Sequence, residues 1–363
     1  MTRRSSVWAH VSQDFQLTRF VAAVAFFSLL AYAILSNLRG SSMGNRLQRA
    51  PQARSAATTA PTPAWARAHC AATMTALRDA RPGAVWPPPC PLPPEQQALF
   101  EAAKMPMSKH WCLAQRYEGV QNLTWTTPYI DSYRADIASG AITGSYGPRE
   151  TAKVLAGLRA LPSPVSGSVA LVMGTEMPWV EALLLNEGAG LVWTFEYSYI
   201  DAQHPRMRAK TCQGIAVDAL AGRFEPVDLI VSFSSLEHSG LGRYGDALDP
   251  DGDRKALAQA WCMLRPGGLL VLGLGMTCAD EGEIVFNAHR IYGFQRLAYI
   301  SANFELEGFL GSCTPYDNEQ QPLVLLRKPL LLHGEVPPPA LSAADFSKAA
   351  DAVRPWWKFR LWR

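Results

Sequence analysis

Acid–base chemistry is densest in Ser232–Asp253, SFSSLEHSGLGRYGDALDPDGD, which follows the apolar run VDLIV and carries one His, one Arg and four Asp. A second His lies in NAHRIYG, Asn287–Gly293. The unperturbed imidazole pKa of about 6.5 suits a base near neutrality. His238 and His289 are therefore the candidate catalytic bases or substrate ligands; the competing role for each is to tie a loop down through backbone hydrogen bonds. Arg243, Tyr244, Asn287 and Arg290 are the candidate substrate-binding groups, with the two guanidinium groups either holding an anion or pairing with Asp246 and the other loop acids. Glu237 either orients a His or caps a helix. The run DPDGD offers three Asp at alternate positions, and hard cations want several oxygens. It lacks the spacing of a calcium loop, because Gly252 falls at the fourth place and no Glu follows at the right distance. No metal is indicated, and the run reads as the start of a helix with Asp251 or Asp253 at its N-terminus.

These residues need elements to position them. From residue 149 the chain alternates apolar runs and helical stripes. RETAKVLAGLRAL repeats apolar residues at helical spacing and leads to the strand SVALVM. MPWVEALLLNEGAG carries Pro178 near a helix start and Gly188 near its end. LVWTFEY reads as the second strand, GIAVDAL as a short third and VDLIVSFSS as the fourth. DRKALAQAWCML then forms a helix before the fifth strand, LLVLGLG. Such alternation implies an α/β fold with a parallel sheet covered by helices on both faces. The tail, NFELEGFLG and QPLVLLRK, reads as an antiparallel hairpin on the sheet. A Rossmann-like, seven-stranded methyltransferase sheet is the fold expected.

In open α/β sheets ligands bind beyond the carboxyl ends of the strands, near the switch in strand order. The turn after the first strand is GTEMPW, with a single glycine, Gly174, that can give a close backbone approach or a positive φ. Glu196 ends the second strand 22 residues beyond Gly174, close to the spacing at which an acid meets ribose hydroxyls. Gly174, Glu176, Glu196 and Asp218 form the candidate cofactor-binding set, with Asp218 expected beside the adenine after the third strand; its alternative is an ordinary turn or cap acid.

VMGTEMPWVEALLL…FEY, VDLIVSFSSLEHSGLGRYGDALDPDGD, LRPGGLLVLGLG and NAHRIYG together resemble the family labelled Caenorhabditis protein of unknown function, grouped with the S-adenosylmethionine-dependent methyltransferases. The resemblance runs over about residues 165–330. It implies the methyltransferase fold, S-adenosylmethionine as cofactor, and a cleft bounded by Gly174, Glu196 and the loop after the fourth strand. The glycine-poor first loop departs from the general methyltransferase pattern.

Charge narrows the partners. Of 34 basic and 31 acidic residues, the first seventy positions hold eight Arg and one acid, which leaves 26 against 30 in the remainder. The body lacks the basic footprint of a nucleic-acid binder, so a small-molecule or glycan substrate is expected and no nucleic acid. Seven Cys show no zinc-ligand spacing and read mostly as buried small hydrophobes. In an oxidising compartment Cys70, Cys90 and Cys112 would be the disulfide formers.

The uncharged run Phe20–Leu38 spans nineteen residues, about 28 Å as a helix, enough to cross a bilayer. The expected organisation is a tail (1–19), a transmembrane signal anchor (20–38), a Pro/Ala-rich stalk held extended by proline (39–98), a helical extension (99–164), the methyltransferase-like domain (165–330) and a C-terminal tail (331–363). This resembles a type II Golgi enzyme with a lumenal C-terminal domain. The alternatives are a cleaved signal peptide and an organelle transit peptide. The sequon Asn122–Thr124 favours the lumenal side. The expected activity is O-methyl transfer. Its rivals are a non-catalytic binding or scaffold domain on the same fold, and a glycosyltransferase using D-P-D within DPDGD.

Overall fold

The computed structural model describes residues 63–81, 88–102, 105–112, 122–141, 144–312, 321–330 and 340–351. The apolar run Phe20–Leu38 lies outside them. Among the described residues no helix is long and apolar enough to cross a membrane.

In chain order the elements are α1 (Ala64–Asp79), α2 (Pro94–Ala102), β1 (Met107–His110), β2 (Asn122–Trp125), α3 (Thr127–Ser139), α4 (Gly147–Ala160), β3 (Val169–Met173), α5 (Trp179–Asn186), β4 (Leu191–Glu196), β5 (Tyr199–Ala202), β6 (Met207–Thr211), α6 (Cys212–Leu220), β7 (Val227–Phe233), α7 (Gly252–Met263), β8 (Leu264–Gly273), β9 (Glu283–Phe286), β10 (His289–Ile291), α8 (Phe294–Ile300), β11 (Glu305–Leu310), β12 (Leu323–Arg327) and α9 (Ala343–Asp351).

The central sheet runs β11-β12-β8-β7-β3-β4-β6. β6, β4, β3, β7 and β8 pair in parallel, and β12 enters antiparallel between β8 and β11. Their apolar content fits burial on both faces. Ala170, Leu171, Val172, Ile230, Val231, Leu270 and Val271 are all buried, as expected of strands covered by helices on both sides. From β3 the chain steps outward to β4 and β6, then returns to β7 and β8 on the other side. The strand order reverses between β3 and β7, which is where such sheets open a ligand crevice. This arrangement, with the C-terminal hairpin and its one antiparallel strand, is the α/β methyltransferase-like architecture expected.

Several local readings change. GIAVDAL is not the third strand but most of α6; the third strand is the preceding MRAKT, β6. A short apolar run fits either element by pattern alone. The Thr211 hydroxyl decides it by accepting the Gly214 N–H at 3.1 Å, a helix N-cap. The segment read as an extended stalk contains α1, whose Ala66, Met74 and Leu77 are buried in the main core. Proline stands only at its N-cap, Pro63, where no intrahelical donor is needed. The extension read as helical supplies two strands: β1 pairs with β9, and β2 pairs with β5. Within the C-terminal tail, α9 buries Phe346.

The cysteines also depart from the expectation of small core hydrophobes. Cys70 is bonded to Cys262 and Cys90 to Cys112. Cys278 is likewise disulfide-bonded, and Cys212 is free and buried. The Cys70–Cys262 link joins α1 to α7 across a separation of 192 residues. Beside it the Trp65 and Trp261 rings lie 5.8 Å apart. A closure of that length restricts the unfolded chain by about 5 kcal/mol in the chain-entropy account. Replacing Cys70 and Cys262 together by Ser is expected to lower stability by about 2–5 kcal/mol, read as an earlier denaturant midpoint; an unchanged midpoint would mean that α1 is held by packing alone.

Candidate active site

The carboxyl ends of β3, β4 and β7 converge at the strand switch. After β3, Gly174 turns with φ +75°. A Cβ there would lie 1.7 Å from Ser235 Oγ, so this glycine is required by the close approach of the residues after β7. At the end of β4, Glu196 is partly buried. Its Oε2 accepts the Thr175 N–H at 2.7 Å and its Oε1 the Tyr197 N–H at 2.7 Å. Burial raises the carboxyl pKa, against these N–H bonds, which lower it. Glu196 therefore clasps the turn after β3. Glu176, in the same turn, is exposed and close enough to the Tyr146 and Tyr244 phenols to act on both electrostatically.

After β7 the backbone is unusual. Ser234 has φ +48°, a left-handed conformation costly for a residue with a Cβ. A short 3-10 turn over Leu236–His238 follows and buries Glu237 and His238. His238 Nδ1 lies 2.5 Å from the Ala288 carbonyl. A carbonyl only accepts, so Nδ1 carries the proton and Nε2 the lone pair. Arg243 Nη1 also donates to Ala288 O at 3.2 Å. Burial first, then the Arg243 charge, lowers the His238 pKa to about 3; the imidazole is neutral. Its ring lies 5.6 Å from that of Tyr244 and 6.3 Å from that of His289, and the Arg243 guanidinium sits 5.2 Å from the Tyr244 centroid. His289 is lowered by burial and by Arg243.

Four of the residues singled out in the sequence, His238, Arg243, Tyr244 and His289, thus form one cluster. Three others do structural work in the fold. Arg290 is 0% exposed. Its Nη1 donates to Ser239 O at 2.6 Å and Glu237 O at 3.4 Å, and its Nη2 to Asp249 O at 3.3 Å and Pro250 O at 3.2 Å. One guanidinium therefore holds both ends of the loop between β7 and α7. Asn287 takes a left-handed φ of +60° and donates through Nδ2 to Leu241 O at 3.4 Å. Asp218 lies within α6, paired with Lys210 and Arg223. It is not at a strand end, because the strand expected to precede it is the helix that contains it.

The loop acids are engaged by neighbouring groups. Asp246 accepts backbone N–H bonds from Gly240, Gly242 and Tyr244, and burial raises its pKa despite them. It pairs with neither Arg243 nor Arg290. Asp249 binds Lys255, and Asp251, the N-cap residue of α7, binds Arg254. Asp253 is fully buried; burial raises its pKa, but Arg290 and Arg296 outweigh this and lower it. Among the described residues no group of three or more His, Cys, Asp or Glu is placed to hold a metal ion.

Two further residues belong to the site: Glu237, read in the sequence as orienting a His or capping a helix, and Tyr146, which went unread. Glu237 is buried with an unpartnered Oε2, and burial raises its pKa to about 7. Tyr146, just before α4, packs its ring 5.2 Å from Phe233 at the end of β7. Alternation places Glu237 beside His238 after the strand, but nothing in the spacing reveals Tyr146, which arrives from 88 positions upstream of Ser234.

The fit to S-adenosylmethionine can be judged from these donors. With the N–H groups of Thr175, Tyr197 and Ser198 directed at it, the Glu196 carboxylate keeps a lone pair that can receive a ribose hydroxyl proton. The Gly174 face is filled by Ser235, so the approach that a glycine-rich loop would offer is taken up by the chain itself. The residues fit the nucleoside end of the cofactor at Glu196.

Comparison with known proteins gives one family match and several solved structures of low similarity. The family described as Caenorhabditis protein of unknown function matches residues 167–324. No curated protein matches the chain. A Burkholderia thailandensis 1,6-didemethyltoxoflavin-N1-methyltransferase, solved with S-adenosylhomocysteine, is 16% identical over 57% of this chain and 92% of its own, with a TM-score of 0.37. The N-methyltransferase NodS from Bradyrhizobium japonicum WM9 is 18% identical over 50% and 87%, with a TM-score of 0.33. An O-methyltransferase family protein from Burkholderia thailandensis is 10% identical over 57% and 60%, with a TM-score of 0.33. At these values the fold assignment rests on strand order and not on the likenesses.

Arg290→Leu is expected to cost about 3–5 kcal/mol, since it leaves the carbonyls of Glu237, Ser239 and Asp249 without the donor that holds them, whereas Arg243→Leu leaves the denaturant midpoint nearly unchanged; equal midpoints for the two variants would contradict the division between structural and cleft-facing arginines. Residues 167–324 are thus the segment that matches the family described as Caenorhabditis protein of unknown function, built on an α/β methyltransferase-like sheet.

Proposed function

We propose that this chain is an S-adenosylmethionine-dependent methyltransferase acting on a hydroxyl group, with the cofactor nucleoside at Glu196 and the acceptor before His238, Arg243, Tyr244 and His289. The observation that carries the reading is the convergence of a ribose-competent carboxylate and an imidazole–phenol–guanidinium cluster at the point where strand order reverses. Methyl transfer requires alignment of donor and acceptor and, for a hydroxyl, removal of one proton. The neutral His238, fixed by Ala288, serves to position the cluster, and Arg243 over Tyr244 offers a cation and a phenol to a polar acceptor. A glycan acceptor agrees with the lumenal layout read from the sequence.

That layout draws support from the cysteines. Disulfides on five of the six described cysteines are expected in an oxidising compartment and are rare in reducing ones. Asn122, the sequon residue, is exposed on β2. We therefore assign the folded domain to the lumen of the secretory pathway, anchored by Phe20–Leu38. Glycosidase treatment of the protein expressed in cells is expected to increase its mobility, and Asn122→Gln to abolish that shift. A protein that gives no shift would count against the lumenal side.

A second reading is favoured by Ser235, which fills the Gly174 face: a binding or scaffold domain that kept the fold and lost the cofactor. Calorimetry on the full-length chain separates the two. S-adenosylmethionine uptake that is lost or weakened at least about tenfold in Glu196→Ala, equivalent to about 1.4 kcal/mol, supports the enzyme. No uptake at millimolar cofactor supports the scaffold. The glycosyltransferase reading loses its feature, because Asp249 and Asp251 are paired with Lys255 and Arg254.

A further inference from the structure

Arg243 stands beside an acid and does not pair with it. The Asp246 carboxylate turns instead to the loop's own backbone: Oδ2 accepts the N–H of Gly240 at 2.6 Å and of Gly242 at 3.3 Å, and Oδ1 that of Tyr244 at 3.2 Å. Gly240 and Gly242 have φ of +80° and +68°, the left-handed conformation that curls neighbouring N–H groups toward one anion. The other acids of the loop are taken as well. Asp249 pairs with Lys255, Asp251 with Arg254 and Arg296, and Asp253 with Arg290 and Arg296. The loop thus matches each of its aspartates to a donor and leaves Arg243 without a carboxylate.

The guanidinium is nevertheless fixed. Its Nη1 donates to the Ala288 carbonyl at 3.2 Å, beside His238 Nδ1 at 3.3 Å, and its central carbon lies 5.2 Å from the Tyr244 ring centre. Among the described residues no acceptor meets its Nε or Nη2, and no carboxylate lies within ion-pair distance. Those nitrogens present a planar fork of N–H groups, the edge that takes two oxygens of one anion. The acids that face the cluster do not fill it. The Glu237 carboxyl is buried against His238, with Oε1 3.8 Å from Nε2, and Glu176 is exposed in the turn after β3. The imidazoles add no charge, since burial holds His238 neutral and lowers His289. A half-buried cation with an open hydrogen-bonding edge therefore stands on the acceptor side of the strand switch.

We propose that Arg243 receives an oxyanion of the methyl acceptor, a carboxylate, sulfate or phosphate, so that the substrate is an acidic hydroxyl compound such as an acidic sugar. The inference deepens the methyltransferase reading and rests on it for the reaction, though not for the binding. Two oxygens of the anion lie side by side on the fork, which fixes the acceptor in rotation as well as in place. Alignment is the main demand of methyl transfer. No bond to Arg243 is made or broken. A neutral acceptor leaves the fork to solvent, whereas an anionic one meets it with charge-assisted hydrogen bonds, about twice as strong as neutral ones. Discrimination against an analogue that lacks the anionic group is the property this residue confers.

The test is a calorimetric series on the full-length protein with glucuronic acid, sulfated glucose, phosphorylated glucose and glucose itself. At least one of the anions is expected to bind at least about tenfold more tightly than glucose, as one charge-assisted pair implies. Arg243→Leu is expected to bring that ratio to about one, and Arg243→Lys, which keeps the charge and loses the planar fork, to retain only part of it. The preference should shrink as ionic strength rises. The order among the anions tells carboxylate from sulfate and phosphate. No anion bound in preference to glucose by wild type, or a preference unchanged in Arg243→Leu, would overturn the proposal. Denaturant midpoints of the variants, expected to match wild type, exclude loss of the fold as the cause. S-adenosylhomocysteine uptake by the same samples keeps the two ideas apart. Uptake without an anion preference removes the acidic acceptor alone; a preference without uptake removes the methyltransferase reading and leaves the anion site standing.

Discussion

The loop that carries the site is held by a buried charge cluster. Asp253, at the first turn of α7, pairs with Arg296 at 2.5 Å and lies 3.6 Å from Arg290 Nε, while the Tyr292 hydroxyl donates to it at 3.2 Å. Isolated, each of these ions would be costly to bury. Asp251, 3.4 Å from Arg296, supplies the second carboxylate that balances the two guanidinium groups, and further guanidinium protons go to the carbonyls of Glu237, Ser239, Asp249 and Pro250. A largely polar loop can therefore follow a buried strand without opening it to water. Glu237 and His238 are buried because Arg290 holds their backbone, and their displaced proton affinities follow from that burial.

The same logic places the outer elements. β9 and β10 bring Ala288 to His238 Nδ1, and β1 extends that small sheet from the N-terminal side. α1 lies against the core and is bonded through Cys70 to α7, the helix that Asp251 and Asp253 begin. The disulfide and the charge cluster thus secure the two ends of one helix. The segment before residue 99 is part of what keeps the cleft loop in register.

Much of this was legible in the sequence where one physical rule acted alone. Apolar runs of five or more β-rich residues gave β3, β4, β7 and β8, and the paired apolar tail gave β11 and β12, because burial on both faces leaves few other options. Glu196 could be read from its distance to Gly174, since a βαβ unit fixes that spacing. GIAVDAL could not, because its apolar content fits strand and helix equally and a single Thr211 hydroxyl decides. Arg290 and Asn287 were taken for ligand groups because an isolated sequence does not show that a guanidinium will be buried against four carbonyls. The cysteine pairs and Tyr146 depend on contacts across many tens of residues, with no local signal to mark them.

The central claim is that the strand switch is a cofactor cleft closed on one side by Ser235 and open at Glu196. A crystal structure of the full-length chain grown with S-adenosylhomocysteine tests it most directly. The account predicts electron density for the ribose with a hydroxyl on the Glu196 carboxylate, and the Thr175 and Tyr197 N–H bonds to that carboxylate kept. A well-ordered cleft that stays free of ligand at saturating concentration, with Ser235 still against Gly174, would contradict it.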